Sequence, residues 1–465
     1  MSTKNSQFID EEEIERILEQ NQKPSPAKVR EVLSRAKEMK GLSLEEVAVL
    51  TNVIDPMQLF ELFETANHIK EKIYGKRLVI FAPLYISNLC SNECTYCAFR
   101  AGNDKIVRRA LTQSEIVNKT EILIREGHKR ILLVAGESYP EDDFQYVIDS
   151  IASIYEAHVG NGDIRRVNVN IGPLETEAFK RLRDAKIGTY QLFQETYHPQ
   201  TYGEVHLVGK KNDYAYRLTA LHRAMEAGIE NVGTGVLFGL YNFRFELLAL
   251  MQHIRELEKV FGIGPHTISV PRIEPATGSA FSSHPPHAVS DLNYRKIIAI
   301  LRLAVPYTGI IMSTRETTQM RRETFALGVS QISAGSSTSP GGARHKVQGE
   351  EGSECSLGDH RSLDEVVRDI AAMGYIPSFC NSCHRMGRTG PGFMDMAKPG
   401  QIKQHCSPNA ISTFQEYLMD YASYETRLIG EDLIEDVMDT MEGAVRERAF
   451  IMLEQVKKGK RDMYC

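Results

Sequence analysis

Long apolar runs are missing from this chain, and no uninterrupted stretch approaches the roughly 18 residues that a membrane-spanning helix needs. The opening "MSTKNSQFIDEEEIERILEQ" is acidic and has no apolar core, which argues against a secretory signal. Positive charge is not in excess either, and a net charge of −6 disfavours a general nucleic-acid binder. Cysteine is scarce, with eight among 465 residues, and six of these fall into two groups. With no sign of export, a cytoplasmic location is expected. Thiols stay reduced there, so grouped cysteines read as metal ligands or catalysts rather than disulfides. Neither an internal repeat nor a low-complexity tract is present.

The first 75 residues read as a helical extension. "SLEE" at Ser43 to Glu46 is a capping box, and Asp55-Pro56 opens a second helix that runs to about Gly75. The acidic run "DEEEIERILEQ" reads as a solvated helix face. From residue 77 short apolar, β-branched runs take over: "RLVIFAPLYI", "RILLVAG", "RVNVNIG", "GTYQLFQET", "NVGTGVLFG", "HTISVPRI", "TGIIMST" and "GVSQISAG". Helical periodicity separates most of them, as in "TQSEIVNKTEILIREG", which opens on a capping box of Thr112 and Glu115. Continuous apolar strands alternating with helices indicate a parallel sheet covered on both faces. Eight of them predict an α/β fold, a (β/α)8 TIM-type barrel over residues 76–340. The remaining 341–465 form a C-terminal region. It begins with a Gly/Ser-rich loop and a helix capped by Ser362 and Glu365, continues loop-like to Cys406, and is helical from Thr413 to Lys458.

In "CSNECTYCAFR", Cys90, Cys94 and Cys97 lie just beyond the first strand, on the barrel face where active sites are built. Three thiolates fall one short of the four ligands usual for zinc or an iron–sulfur cluster. A zinc knuckle with a distant fourth ligand and three structural thiols are the plainer readings. A four-iron cluster on three thiolates instead leaves one iron open to a small molecule. Cys-x3-Cys-x2-Cys with Tyr96 before the last cysteine resembles the signature of the radical S-adenosylmethionine (SAM) enzymes. The resemblance implies a 4Fe–4S cluster on Cys90, Cys94 and Cys97, with SAM bound at its open iron as the source of a 5′-deoxyadenosyl radical. It also implies SAM contacts from Tyr96, from Gly136 and Glu137 in "AGES", from Glu195 in "QET" and from Arg217.

A second group, Cys380-x2-Cys383 followed by Cys406, again offers three thiolates, among glycines and prolines that let backbone fold around a bulky centre. Structural zinc with His384 or His405 and a disulfide are the other readings. The two groups together resemble the HydG family, the tyrosine lyases of FeFe-hydrogenase maturation. "QETYHPQTY", "HTISVPRIEPA" and "STRE" resemble that family too, the first and last being shared with the ThiH tyrosine lyases of thiazole synthesis. The resemblance implies cleavage of L-tyrosine to p-cresol and dehydroglycine. It further implies conversion of the fragment to carbon monoxide and cyanide at an auxiliary 4Fe–4S cluster on Cys380, Cys383 and Cys406. Implied partners are cysteine and iron, a reductant such as ferredoxin or flavodoxin, and other hydrogenase maturases. Arg315 closes the seventh strand, so it should share a face with the first cysteines and could hold the tyrosine carboxylate, with Ser313 and Thr314 nearby. His266 opens its strand and should face the opposite end, where the resemblance makes it the ligand of a labile iron. Cys355 and Cys465 lack ligand spacing and read as thiols outside both groups. The rival readings are a ThiH-like lyase and a non-catalytic iron–sulfur or zinc scaffold.

Overall fold

The computed structural model describes residues 8–340, 353–386, 390, 392, 396 and 403–465. Eight parallel strands close into a barrel: β1 (Arg77–Ser87), β2 (Arg130–Ala135), β3 (Arg166–Asn170), β4 (Tyr190–Gln191), β5 (Val232–Gly235), β6 (Thr267–Ser269), β7 (Gly309–Met312) and β8 (Gln331–Ser333). Each pairs with the next in sequence, and β8 returns to β1 through Val79–Gln331, Ile80–Ile332 and Phe81–Ser333. Seven lie within the apolar runs of the sequence, and β1 passes the end of its run by one residue, Ser87. The strands are buried on both faces, so their side chains need no polar alternation.

Before the barrel come four helices, Glu11–Gln20, Pro26–Ala36, Leu44–Thr51 and Pro56–Tyr74. The capping box at Ser43 and Glu46 forms as the spacing predicts. Asp55 accepts from Met57 N–H and Gln58 N–H, and Gly75 ends the last of these helices at φ 62°. Ile14, Ile17 and Leu18 are buried while Glu11 and Glu12 face water, so the acidic run is a solvated face.

The C-terminal region joins the barrel sheet through a strand that the sequence pattern does not reveal. β9 (Ile376–Ser378) pairs with β1 at Arg77–Val79, below the point where β2 begins its own pairing at Ala82. Pro377 hid it, since proline removes a ladder donor and is tolerated only at a sheet edge. A second difference concerns the helix expected from Thr413, which starts at Lys403 and contains Pro408. The Ser-Pro step reads as a helix stop, yet a proline close to the first turn displaces few backbone bonds. Cys406 therefore sits on a helix, and Cys383 on the short helix Ser382–Arg385, where a loop was expected.

Alternation along the strands creates one interior lining. Val79, Gly309 and Gln331 line a cavity at the N-terminal end of the barrel. Phe81, Pro83, Tyr85, Ile311, Ser313 and Ser333, reached in steps of two from them, line another at the C-terminal end. Residues two apart share a face, so both cavities open on the same bore. The six steps from Val79 to Tyr85 span about 20 Å at the usual rise of a strand.

Candidate functional site

Cys90, Cys94 and Cys97 lie on the loop after β1 and line the C-terminal cavity together. Arg108 organises that loop: its guanidinium donates to the carbonyls of Phe99 (2.7 Å), Asn88 (3.0 Å), Asn103 (3.1 Å) and Arg100. Asn88 ties its two ends by donating to Val107 O at 2.8 Å and accepting from Arg109 N–H at 2.8 Å. On the far side, Thr95 N–H donates to Val205 O at 2.9 Å. Tyr96 packs edge-on to His206, with 2.8 Å between its hydroxyl and Nε2. His206 Nδ1 lies 2.9 Å from Tyr202 O, which can only accept. Burial, then Lys211 and Arg217, hold that imidazole neutral, so Nδ1 carries the proton and the Tyr96 hydroxyl donates to Nε2.

Gly136 follows β2 against the same loop, and a Cβ there would stand 2.2 Å from Leu89 O. Only glycine lets the end of β2 approach the cysteine loop so closely. Glu137 accepts from Asn92 Nδ2 (2.8 Å) and from Arg217 Nη1 (3.0 Å). Glu195 lies past the short β4, bridged to Val236 with its backbone at φ 73°. Its Oε1 meets Lys211 Nζ at 2.7 Å and Arg217 Nη2 at 3.3 Å. Burial alone would raise Glu137, but Arg217 and Lys211 outweigh it and hold its carboxyl below the usual range. Two anions and two cations thus balance beside the thiols, a setting suited to a zwitterionic amino-acid group. Arg217 engages protein carboxylates here, so a ligand carboxylate reaching it must share the guanidinium with Glu137 and Glu195.

Across the cavity, Arg315, Ser313 and Thr314 follow β7 as expected. Arg315 Nη2 meets Glu354 Oε2 at 3.3 Å. Cys355, placed outside both cysteine groups by its spacing, is buried in this cavity wall. Burial is the largest influence on all three loop thiols; it pushes Cys94 up to about 12 and Cys97 well above the usual range. Such thiols ionise only as a metal takes them. Among the described residues no three His, Cys, Asp or Glu side chains are grouped closely enough for a single ion. Three thiols lining one cavity are soft sulfur donors of the kind that iron–sulfur clusters and zinc both take.

The N-terminal cavity gathers Cys380, Cys383, Cys406 and His266, so the structure brings the second cysteine group and the predicted histidine together. Side chains of Cys383 and Cys406 are in hydrogen-bond contact. Ser382 Oγ lies 3.2 Å from Cys380 Sγ, and Asn409 Nδ2 donates to Ser382 Oγ at 2.8 Å. Arg130 donates to Asn381 Oδ1 (2.9 Å) and to Cys380 O (2.8 Å), fixing the turn that carries the thiols. Arg77, Arg130 and Arg166 all line this cavity, and no carboxylate does so among the described residues. Three guanidiniums around three thiols fit an anionic thiolate-bound centre. Burial first, then Arg166, Arg130 and Arg77, push His266 down to about 3, which leaves a neutral imidazole able to ligate. Cys465 N–H donates to Asn409 Oδ1 at 2.8 Å, which brings the last residue beside the same helix. The side chain of His384 lies outside the described residues.

A family model described as the radical SAM superfamily matches residues 84–254, and one described as the biotin and thiamin synthesis associated domain matches 269–376. A solved structure of HydG, described as a maturase of the FeFe-hydrogenase, is 46% identical to this chain. It covers 98% of this chain and 100% of its own, with a TM-score of 0.94. The chain belongs to the HydG family of radical SAM enzymes. The HydG maturase from Carboxydothermus hydrogenoformans is 39% identical over 97% of this chain and all of its own, with a TM-score of 0.85. A 2-iminoacetate synthase from Escherichia coli (strain K12) is 28% identical over 357 residues, 77% of this chain and 92% of that protein. Membership of the radical SAM superfamily brings SAM and a 4Fe–4S cluster as cofactors. No helix among the described residues is long and apolar enough to cross a membrane.

Several residues of this HydG-family site escape a reading of motifs. Lys211 sits in "GKKND", an ordinary surface run, and reaches Glu195 only through the fold. Glu354 belongs to a Gly/Ser-rich stretch with no pattern around it. The three arginines at the other end did leave a trace: β1, β2 and β3 each begin with one, in "RLVIF", "RILLV" and "RVNVN". A charged residue opening three successive buried strands signals an anion at that end of a barrel.

Proposed function

We propose that this HydG-family chain cleaves the Cα–Cβ bond of L-tyrosine to p-cresol and dehydroglycine at the C-terminal cavity, and that the fragment yields carbon monoxide and cyanide at the N-terminal one. The observation that carries the reading is one barrel bore with a thiol triad at each end, Arg315 beside the first and His266 beside the second. When bound on Cys90, Cys94 and Cys97, the cluster and SAM supply a 5′-deoxyadenosyl radical. Around them, Glu137, Glu195, Lys211 and Arg217 orient a methionine-like end, and Tyr96 and Gly136 shape the wall. Cys380, Cys383 and Cys406 are the proposed seat of an auxiliary 4Fe–4S cluster, with His266 as ligand to an additional iron.

The test is anaerobic reconstitution with iron and sulfide, then SAM, L-tyrosine and reductant, with p-cresol, carbon monoxide and cyanide measured together. All three products support the proposal. p-Cresol with neither gas nor cyanide supports the ThiH-like alternative, and absence of SAM cleavage leaves only a metal-binding scaffold.

Arg315 is proposed to grip the tyrosine carboxylate, which a planar guanidinium can do through two parallel bonds and an ammonium cannot. Arg315→Lys should raise the KM for tyrosine about 10- to 100-fold, the worth of a charge-assisted contact, while leaving iron content unchanged. Unaltered tyrosine kinetics in this variant would remove Arg315 from the site. His266→Ala should bind one iron fewer per chain, read by elemental analysis against the parent, and should keep p-cresol formation. Equal iron counts would deny His266 its ligand role.

A further inference from the structure

We propose that Glu354 accepts the amino group of the bound amino acid and forms the anionic half of a clamp whose cationic half is Arg315. The inference rests on the tyrosine-lyase reading and says how that site distinguishes an α-amino acid from other carboxylic acids.

An α-amino acid presents a carboxylate and an amino group on a single carbon. A site that selects it needs a cation and an anion side by side. Arg315 Nη2 and Glu354 Oε2 stand 3.3 Å apart on the wall of the C-terminal cavity. The segment carrying Glu354 is stitched to the ends of three strands. Ser356 N–H donates to Pro275 O (3.0 Å) after β6, and Gly358 N–H to Thr314 O (2.9 Å) after β7. After β8, Thr338 O accepts from Glu354 N–H at 3.0 Å, and the Thr338 hydroxyl donates to Cys355 O at 3.1 Å. Gly358 is itself constrained, because a Cβ there would stand 2.6 Å from Arg315 O. The carboxylate is therefore fixed in place beside the arginine.

Its hydrogen bonds are unevenly shared. Tyr85 OH donates to Oε2 at 2.5 Å, and Arg315 meets the same oxygen. Among the described residues no hydrogen bond falls on Oε1. A carboxylate serving only to hold an arginine commonly meets it through both oxygens. Here, among the described residues, the contact uses one oxygen and leaves acceptor capacity beside the cavity. Glu354 also lines the same cavity as Cys90, Cys94 and Cys97. An amino group held there faces the side of the cavity where the radical chemistry of this family begins.

The experiment measures anaerobic binding of L-tyrosine and of 3-(4-hydroxyphenyl)propanoate, the same acid without its amino group, to the reconstituted, SAM-loaded protein. The parent should bind tyrosine at least about 10-fold more tightly, as a charge-assisted contact implies. Glu354→Gln should weaken tyrosine about 10-fold and leave the deamino acid within about twofold, erasing the preference. Its iron content serves as the check on folding, and if that falls, the preference of the parent alone decides. A parent that binds both acids equally, or a variant that weakens both equally, overturns the clamp while leaving the lyase reading intact. A parent that binds no tyrosine and forms no p-cresol overturns the lyase reading and the clamp with it.

Discussion

Cys94→Ala should abolish reductive cleavage of SAM and p-cresol formation, and should lower iron content by the four irons of one cluster. Cys94 is 4% exposed and sits between the β1 loop and His206, so no water or neighbouring acid can take its place without rebuilding the loop. Two thiolates cannot hold a cubane that already relies on three. Removing the ligand therefore removes the electron source and not merely an orientation. A fall of about 1000-fold or more, over 4 kcal/mol in barrier, is the scale expected when a reaction loses its initiating group. Iron remaining in the variant should belong to the N-terminal cavity, and its spectrum should not respond to SAM. Persistent p-cresol formation would place the cluster elsewhere.

The complementary variant acts at the other end. Cys406→Ala should lose carbon monoxide at least about 100-fold, beyond the 10- to 100-fold typical of outer-shell changes at metal sites. p-Cresol formation should stay within about twofold of the parent. Cys406 is 5% exposed and meets Cys383 in a cavity with Arg77, Arg130, Arg166 and His266. The two cavities lie on the order of 20 Å apart along the strand from Val79 to Tyr85, so losing one group leaves the other's walls untouched. Arg77 and Arg130 stay buried in the variant with a thiol fewer beside them, and the region should unfold at lower temperature. Parallel loss of p-cresol and carbon monoxide would mean that the two ends act as one site.

The barrel was legible because fully buried parallel strands write themselves as apolar runs, and each of the eight strands falls on one such run. β9 was not, since "IPS" contains a proline and owes its place to the exposed lower edge of β1. The start of the Lys403 helix was hidden by Pro408 and by the absence of a recognisable cap. Residues tied to short motifs came out well placed: Cys90, Cys94, Cys97, Gly136, Glu137, Arg315 and His266 all reach the cavities their strand positions imply. Lys211, Glu354 and Cys355 did not, because each joins its cavity through a loop whose path no local pattern encodes. Arg217 shows the limit of reading single residues. Its type suggested an anion, but the two carboxylates that hold it lie 80 and 22 positions away.

Electron paramagnetic resonance of the reduced, reconstituted protein, with Cys406→Ala used to isolate the first cluster, tests the central claim most directly. Adding SAM should shift the signal of that cluster, as cosubstrate occupies an iron that no side chain holds. A signal identical with and without SAM, from a cluster already bound by four protein ligands, would contradict it.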